Sequence, residues 1–295
     1  MRSRISIEAP AKINLYLEVG PPGRDGYHPV RTVLQTVELC DLVEVEVTDG
    51  GEGLRLEVEG DAPPGEDNLC HRAAATFLST TGLRMGLSIR LTKRIPQAAG
   101  LGGGSSDAAA VLRVLNFTAG EALDRGELLR TAASLGMDVP FFLVGGTALG
   151  EGRGELITPL VQAPPLPVLL VNPGKSLATR EVYRRYDLSG EDPPQVQGPE
   201  PLIEALPGGD AEAIAPLLYN SLQRAARELM PEVGTLLQKA GAAGASGAMV
   251  SGSGPTIFII AGSGDRAAAL EEEMRKHAPL VIRTAFRSAG VSRVS

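Results

Sequence analysis

One segment of this sequence is far richer in glycine than its neighbours, and it reads Pro96-Gln97-Ala98-Ala99-Gly100-Leu101-Gly102-Gly103-Gly104-Ser105-Ser106-Asp107. A predicted strand, Gly86 to Thr92, precedes it, and a predicted helix, Ser106 to Asn116, overlaps its end. Because glycine has no Cβ, the backbone of such a loop can take positive φ angles and approach a ligand closely. Successive N–H groups and the positive end of the helix dipole then favour an anion. We therefore predict a phosphate-binding loop, with Ser105 or Ser106 as the helix N-cap.

The spacing of the glycines excludes the commoner nucleotide-binding loops. A Walker A loop needs a lysine after its last glycine, and this segment contains no lysine. The G-x-G-x-x-G/A fingerprint of dinucleotide-binding proteins fails because Ser105 or Asp107 takes its last position. The glycine loop, H-R-D and D-F-G set of protein kinases is absent as well. Of the functions considered for this chain, that of a Rossmann-type dehydrogenase is therefore the least favoured.

Outward from this loop, the sequence predicts antiparallel β structure first and mixed α and β structure afterwards. Ile5 to Val19 alternates apolar and polar residues, which predicts a half-buried strand that bends at Pro10. Leu42 to Val47 and Leu54 to Val58 are predicted to form a hairpin, and Asn68 to Thr80 a helix. Further predictions are helices over 125–135, 220–240 and 265–277, strands over 168–171, 248–250, 256–261 and 281–286, and an exposed loop over 189–210. Prolines cluster over 158–167, so we predict two domains, residues 1–160 and 161–295.

Composition narrows the class of protein. The 295 residues are 43% hydrophobic and 21% charged, which is typical of a globular protein. The formal net charge of −7 argues against a nucleic-acid-binding protein, whose affinity depends on neutralising phosphates. Cys40 and Cys70 lie far apart and predict neither a disulfide framework nor a zinc site. No signal peptide and no run of ~20 apolar residues is visible, so we expect a cytoplasmic protein without a membrane partner.

Three segments together resemble the motifs of the GHMP kinase superfamily. Pro96 to Ala109 is similar to its phosphate-binding motif, P-x-x-x-G-L-G-G-G-S-S-D-A-A, Pro10 to Leu15 to its first motif, and Ser251 to Pro255 to its third. Asp25-Gly26-Tyr27-His28 and Gly136 to Phe142 are typical of the diphosphocytidyl-methylerythritol kinases within it. The resemblance implies an α+β fold with an N-terminal domain like the second domain of ribosomal protein S5 and a ferredoxin-like C-terminal domain.

The same resemblance implies an activity. Members of this group phosphorylate the 2-hydroxyl of 4-diphosphocytidyl-2-C-methyl-D-erythritol with ATP, in non-mevalonate isoprenoid synthesis. ATP and Mg²⁺ are the implied cofactors. The sequence shows no acidic cluster for the metal, although Ser105 and Ser106 are candidates. The expected partners are the cytidyl substrate and ATP, with no nucleic acid and no membrane, and we expect a monomer or a weak homodimer.

Site residues follow from the resemblance by position. Lys12 and Asp138 match the catalytic pair, in which the aspartate accepts the proton of the substrate hydroxyl and the lysine stabilises charge. The implied ATP-binding residues are Pro96, Ala98, Ala99, Gly100, Leu101, Gly102, Gly103, Gly104, Ser105 and Ser106. The implied substrate-binding residues are Asn14, Tyr27, His28, Asp138, Thr179 and Tyr183, and the supporting loop is Ser251, Gly252, Ser253 and Gly254.

Without the resemblance, these residues also have ordinary structural interpretations. A lysine on the polar face of a strand, such as Lys12, is usually solvated. Asp138, between a glycine and a proline, fits a helix cap. Tyr27 and Tyr183 could serve packing, His28 could be a surface histidine, and the glycine-serine loop after residue 250 could be a plain hairpin turn.

Two other functions are compatible with part of the pattern. One is another GHMP kinase, acting on homoserine, mevalonate or a sugar, and Tyr27-His28 and the run Asp138 to Phe142 argue against it. The other is a non-enzymatic, S5-like RNA-binding protein. The net charge of −7 and the phosphate-binding loop argue against that function.

Overall fold

The structure of the chain is a computed structural model, which describes residues 2–24, 26–49, 53–189 and 197–294. Its strands are β1 (Arg2–Val19), β2 (Val30–Asp49), β3 (Leu54–Glu59), β4 (Met85–Thr92), β5 (Thr147–Glu151), β6 (Leu156–Pro159), β7 (Pro167–Asn172), β8 (Tyr219–Asn220), β9 (Gly247–Val250), β10 (Ile257–Ile260), β11 (Leu280–Ala285) and β12 (Ser292–Arg293). Its helices are α1 (Leu69–Thr81), α2 (Gly103–Thr118), α3 (Arg125–Leu135), α4 (Val139–Val144), α5 (Thr179–Leu188), α6 (Glu200–Ala205), α7 (Ala211–Ile214), α8 (Gln223–Leu229), α9 (Pro231–Ala242) and α10 (Gly264–Met274). Short 3₁₀ turns occur at Gly65–Asp67, Leu206–Gly208 and Ala215–Leu217. The α+β fold class is confirmed.

The first sheet is built around the long antiparallel pair of β1 and β2. Its strand order is β12-β1-β2-β4-β3, with β5 on β2, β6 on β5, and β8 parallel to β1. The pairing shifts register between Pro10 and Ala11, so the predicted irregularity at this proline is confirmed. The prediction of a half-buried strand is wrong for the middle of β1, where Lys12 and Asn14 are buried as well.

The predicted hairpin between β2 and β3 is wrong. β4 lies between them, antiparallel to β2 and parallel to β3. Parallel neighbours need a crossover connection, and α1 supplies it between β3 and β4. Local turn residues do not reveal such a pairing, because the partner strand arrives about thirty residues later. Residues 50–52, between the two strands of the predicted hairpin, lie outside the described residues.

Helices α1 to α4 cover one face of the first sheet. At the centre of this layer lies α2, in which the run from Ala108 to Leu112 is fully buried. A buried run of this kind is typical of a protein interior, and its alanines allow close approach of α1, α3 and α4. The core between helices and sheet contains Val43, Val45, Phe77, Ile89, Leu91, Phe141 and Phe142. The N-terminus of this rigid helix therefore presents the glycine loop at a defined place.

The second sheet is antiparallel, in the order β11-β7-β10-β9. One of its faces packs against β1 through a core that contains Ile13, Leu15, Leu170 and Phe258. The other face is covered by α5, α8, α9 and α10. Because β8 and β12 come from the second half of the chain and pair with β1, the two halves are interleaved. The boundary near residue 160 stays a prediction.

Two further predictions about secondary structure need correction. The predicted helix over 220–240 is divided at Met230, because Pro231 lacks an N–H and disfavours helical backbone in the residue before it. The predicted exposed loop over 189–210 contains α6 and a 3₁₀ turn, with Leu202 and Leu206 buried in the core. Residues 190–196 of that segment lie outside the described residues.

Two observations bear on the class of protein. Cys40 and Cys70 are both buried and unpaired. Of the helices in the described ranges, none has the length and apolar character needed to span a membrane.

Candidate active site

A cleft of about 1190 Å³ opens between the glycine loop, β1, and α5 of the second half. Most residues predicted for the site line it, namely Lys12, Asn14, Tyr27, His28, Pro96, Ala98, Ala99, Gly100, Leu101, Gly102, Gly103, Gly104, Ser105, Asp138, Thr179, Tyr183, Gly252 and Ser253. Ser106, Ser251 and Gly254 do not line it. The fold thus collects segments that are far apart in sequence around one cavity.

The glycine loop runs directly into the first turn of α2. The helix begins at Gly103, so the predicted N-cap at Ser105 or Ser106 is wrong. Gly102 takes the cap position with φ of +71°, and Ser106 lies inside the helix with its Oγ buried and without a hydrogen-bond partner. The N–H groups of the first helical turn have no intrahelical acceptor, so this end of α2 favours an anion in the cleft.

At two positions of the loop, both the positive φ angle and the lack of space for a Cβ require glycine. Gly100 has φ of +76°, and a Cβ there would lie 2.4 Å from the carbonyl oxygen of Ser251. At Gly102, a Cβ would lie 2.8 Å from the ring of Phe142 and 3.1 Å from Cγ of Lys12. The loop is therefore in contact with β1 on one side and with the loop after β9 on the other.

Hydrogen bonds hold the loop between these two neighbours. The backbone N–H of Lys12 donates to the carbonyl oxygen of Leu101 at 2.9 Å, and Ser251 Oγ donates to that of Gly100 at 3.0 Å. Asn220 Nδ2 donates to the carbonyl oxygen of Gly252 at 2.8 Å and so holds the loop after β9. That loop does join two antiparallel strands, β9 and β10, and it also braces the glycine loop.

Lys12 is buried in the wall of the cleft. The interpretation of Lys12 as a solvated lysine on the surface of a strand is therefore wrong. Its Nζ donates to Asn14 Oδ1 at 2.7 Å and lies 3.6 Å from Asp138 Oδ2. Asn14 Nδ2 donates to Thr32 Oγ1 at 2.9 Å, and Thr32 Oγ1 donates to the carbonyl oxygen of Tyr16 at 2.7 Å. This chain of hydrogen bonds fixes the ammonium in one position beside the carboxylate.

Asp138 occupies the N-cap position of α4, but its side chain makes no capping hydrogen bond. The carboxylate is instead 39% exposed and points toward Lys12 and the cleft. Phe141 and Phe142 of the same short helix are fully buried and anchor it against α2. The position of Asp138 in the sequence is that of a cap, whereas its side chain is available to a ligand.

Aromatic and charged side chains form the other end of the cleft. The rings of His28 and Tyr183 have centroids 5.4 Å apart, and the guanidinium of Arg153 lies 4.0 Å from the centroid of Tyr27. Tyr27 is 56% exposed, which leaves ring surface available to a ligand. Burial, and to a smaller extent the nearby charge of Asp138, raise the pKa of Tyr183 to about 12.

A buried ion network behind the glycine loop was missed by sequence reasoning. Lys93 Nζ contacts Asp41 Oδ2 and lies 2.7 Å from Asp107 Oδ2, while Asp41 Oδ1 accepts from the N–H groups of Arg94 and Ile95. One ammonium does not neutralise two buried carboxylates, and burial raises the pKa of Asp107 to about 8. The available signal was that Lys93, one of only five lysines, immediately precedes the loop.

Comparisons with known proteins agree with this geometry. The family model described as GHMP kinases N terminal domain matches residues 68–146, and the one described as GHMP kinases C terminal matches residues 202–280. The 4-diphosphocytidyl-2-C-methyl-D-erythritol kinase of Pelotomaculum thermopropionicum is 45% identical over 86% of this chain and 88% of its own length. That of a Nocardioides species is 41% identical over 91% of this chain and 92% of its own length.

Solved structures show the same relationship. A crystal structure of a 4-(cytidine 5'-diphospho)-2C-methyl-D-erythritol kinase covers 97% of this chain and 99% of its own with a TM-score of 0.78 and 36% identity. A homoserine kinase from Cytophaga hutchinsonii has a TM-score of 0.76 at 22% identity over 99% of this chain and 97% of its own, which shows a shared fold. The chain belongs to the GHMP kinase superfamily and, within it, to the 4-diphosphocytidyl-2-C-methyl-D-erythritol kinase family.

Proposed function

We propose that this chain transfers the γ-phosphoryl group of ATP to the 2-hydroxyl of 4-diphosphocytidyl-2-C-methyl-D-erythritol, giving the 2-phosphate and ADP. Membership of the family supports the substrate and the use of ATP. The observation that carries the proposal within this chain is the Lys12–Asp138 pair, 3.6 Å apart. It lies between the glycine loop and the aromatic end of one cleft.

The glycine loop is the proposed site of the triphosphate. The N–H groups of the first turn of α2 point their positive ends toward the cleft, and the helix dipole adds to them. Phosphoryl transfer depends mainly on positioning and on neutralising charge on the transferring group. The loop is held by β1 and by the loop after β9, so its N–H groups are already oriented before ATP binds.

Asp138 is the proposed base, and Lys12 is the proposed electrostatic partner. As the substrate oxygen bonds to the γ-phosphorus, its proton passes to the Asp138 carboxylate, and the bond from that phosphorus to the bridging oxygen of ADP breaks. The ammonium of Lys12 stabilises negative charge on the phosphoryl oxygens. Its own position is set by Asn14 and Thr32.

Magnesium would be carried mainly by the nucleotide. Among the described residues, no group of three or more histidine, cysteine, aspartate or glutamate side chains could hold a metal ion. This fits Mg²⁺, which keeps several waters and binds through substrate phosphates with one or two protein ligands. Of the two serines considered, Ser105 lines the cleft, whereas Ser106 is fully buried, so Ser105 is the better candidate. Bound Mg²⁺ would neutralise charge on the phosphates.

The decisive experiment compares two aspartates that occupy equivalent positions in different helices. Asp138 is an N-cap without a capping bond, whereas Asp124 caps α3 and accepts from the N–H of Glu127 at 2.8 Å. We expect Asp138→Ala to lower kcat by about 10²- to 10⁴-fold with little change in stability. Asp124→Ala should leave kcat unchanged and destabilise the protein by about 1 kcal/mol. Turnover is measured as ATP-dependent phosphorylation of the cytidyl substrate, and stability by urea unfolding.

Other results would contradict distinct parts of the proposal. An Asp138→Ala protein that is folded and retains kcat within a few-fold of wild type would exclude Asp138 as the base. Mevalonate and homoserine are assayed in parallel with the cytidyl substrate. Phosphorylation of either, and not of the cytidyl compound, would overturn the proposed substrate while leaving the kinase activity in place.

A further inference from the structure

Asn220 is a buried polar residue whose side-chain hydrogen bonds all go to backbone groups. It ends β8, where it pairs with Leu17 of β1, and it is only 7% exposed. Its Nδ2 donates to the carbonyl oxygens of Val250 and Gly252, both at 2.8 Å, and its Oδ1 accepts from the N–H of Leu222 at 2.8 Å. One amide group thus joins β8 to the end of β9 and to the loop that follows β9.

The position of β9 at the edge of its sheet explains why side chains are needed there. In the part of the chain that the structure describes, β9 is the last strand of the second sheet, and no strand pairs with its outer edge. The N–H of Val250 donates to Gln223 Oε1 at 3.1 Å, and Asn220 donates to its carbonyl oxygen. Buried backbone groups require such partners. The two amide side chains therefore replace a neighbouring strand and fix the point at which the loop after β9 begins.

The loop after β9 contacts both parts of the proposed reaction site. Ser251 Oγ donates to the carbonyl oxygen of Gly100 at 3.0 Å. A Cβ on Gly252 would lie 3.2 Å from Asn14 Oδ1 and 3.4 Å from Lys12 Nζ, so the backbone at this glycine passes directly beside the ammonium. A displacement of this loop would therefore change the position of the glycine loop and the surroundings of Lys12 together.

We propose that Asn220 is a positioning residue for phosphoryl transfer, which acts through the loop after β9 on the glycine loop and on Lys12. This rests on the proposed function, in which the glycine loop holds the triphosphate. Asn220 does not line the cleft, so it acts through its neighbours and not on the reactants directly. Its side chain keeps the backbone donors of the glycine loop and the ammonium in register, and a misplacement of about 1 Å can cost on the order of 10²-fold in rate.

Asn220→Asp tests this role, because aspartate keeps the shape of the side chain and replaces the donor by an acceptor. A carboxylate oxygen in place of Nδ2 would face two carbonyl oxygens, so the loop after β9 would move away from β8. We expect kcat/KM for ATP to fall by about 10²-fold, whereas KM for the cytidyl substrate stays close to that of wild type. The affinity for a non-hydrolysable ATP analogue with Mg²⁺, measured by calorimetry, should weaken as well. Asn220→Ala removes the donors without this repulsion and should change both quantities in the same direction.

Asn116→Asp is the matched control. Asn116 is also buried, its Nδ2 donates to the carbonyl oxygen of Leu123 and to Glu121 Oε2, and its Oδ1 accepts from the N–H of Leu123. It lies near the C-terminal end of α2, about 20 Å along the helix from Gly103, and it does not line the cleft. We expect Asn116→Asp to lower the midpoint of urea unfolding and to leave the ATP affinity and kcat/KM of the folded protein unchanged.

Activity per folded molecule separates a positioning role from a general loss of stability. The proposal is overturned if the Asn220 variants, corrected for their folded fraction, keep the ATP affinity and kcat/KM of wild type. It is also overturned if the Asn116 variant loses as much ATP affinity as the Asn220 variants. A wild type that binds the ATP analogue but does not phosphorylate the cytidyl compound overturns the proposed substrate instead, and the calorimetric comparison still decides the role of Asn220. If wild type does not bind the analogue, the proposed function and this role are both excluded.

Discussion

The two ends of the cleft are built by different means. The proposed phosphate end consists of backbone, a glycine loop and the first turn of a buried helix, and its side chains Lys12 and Asp107 are almost fully enclosed. The proposed base end consists of side chains from segments far apart in sequence, and Tyr27 and Asp187 remain about half exposed. The first end is therefore enclosed by the fold, whereas we expect substitutions at the second end to cost the fold little.

The most severe change at the phosphate end should be Gly100→Ala. The added Cβ would lie 2.4 Å from a backbone oxygen, at a φ of +76° that alanine rarely adopts. The loop would have to move, and a displacement of about 1 Å can cost on the order of 10²-fold in rate. We expect at least that loss in kcat/KM for ATP. Gly241→Ala in α9 has nothing within 4 Å of the new Cβ and should stabilise the protein by about 0.5–1 kcal/mol with unchanged activity. If the two variants had the same activity and stability, the backbone conformation at Gly100 would not be required for activity.

Breaking the ion network behind the loop should affect the free energy of unfolding rather than the rate directly. Lys93→Met leaves Asp41 and Asp107 buried without their cation, and breaking a buried pair destabilises by about 3–5 kcal/mol. Lys276→Met removes an exposed pair with Glu273, and we expect little change. Urea unfolding of both variants measures the difference. If the two lysines proved equivalent, the phosphate end would not owe its rigidity to this network.

The smallest effect should be at the base end. Tyr27→Ala removes a ring that is proposed to stack on the base, and stacking on an aromatic side chain contributes about 1–3 kcal/mol. We therefore expect KM for the cytidyl substrate to rise by about tenfold to a hundredfold, with kcat and stability nearly unchanged because the ring is largely exposed. Tyr27→Phe keeps the ring and should stay close to wild type. A large fall in kcat in Tyr27→Ala would show that this end is coupled to the chemistry.

Local sequence predicted the phosphate end better than the rest of the molecule. The glycine loop, the helix after it and the irregularity at Pro10 all follow from backbone chemistry that acts over a few residues. The predicted N-cap at Ser105 or Ser106 is wrong even in this region. The prediction assigned Gly103 and Gly104 to the loop, whereas they form the first turn of α2. The first residue of a helix is difficult to predict from sequence when a glycine-rich loop continues directly into the helix.

Pairings between distant segments escaped prediction for a physical reason. The order β2-β4-β3 depends on which strand covers the edge of β2, and that is decided by packing of α1 and α2 on the sheet. The contact of Lys93 with Asp41, and that of His28 with Asp187, join residues 52 and 159 positions apart. Neither the periodicity of a segment nor a local motif shows which residues this far apart in sequence will be in contact.

By itself, the sequence predicted the α+β class and the family, which are confirmed, and it located the glycine loop that is proposed to bind phosphate, because these depend on local backbone propensity and on motifs with fixed spacing. The tertiary structure decided which of two ordinary roles each polar residue takes. Lys12 is buried because β1 is covered on both sides, and Asp138 is free of the cap because its carboxylate turns toward Lys12. Burial and partners are properties of the packed chain, and they convert a strand lysine and a helix-end aspartate into a candidate catalytic pair.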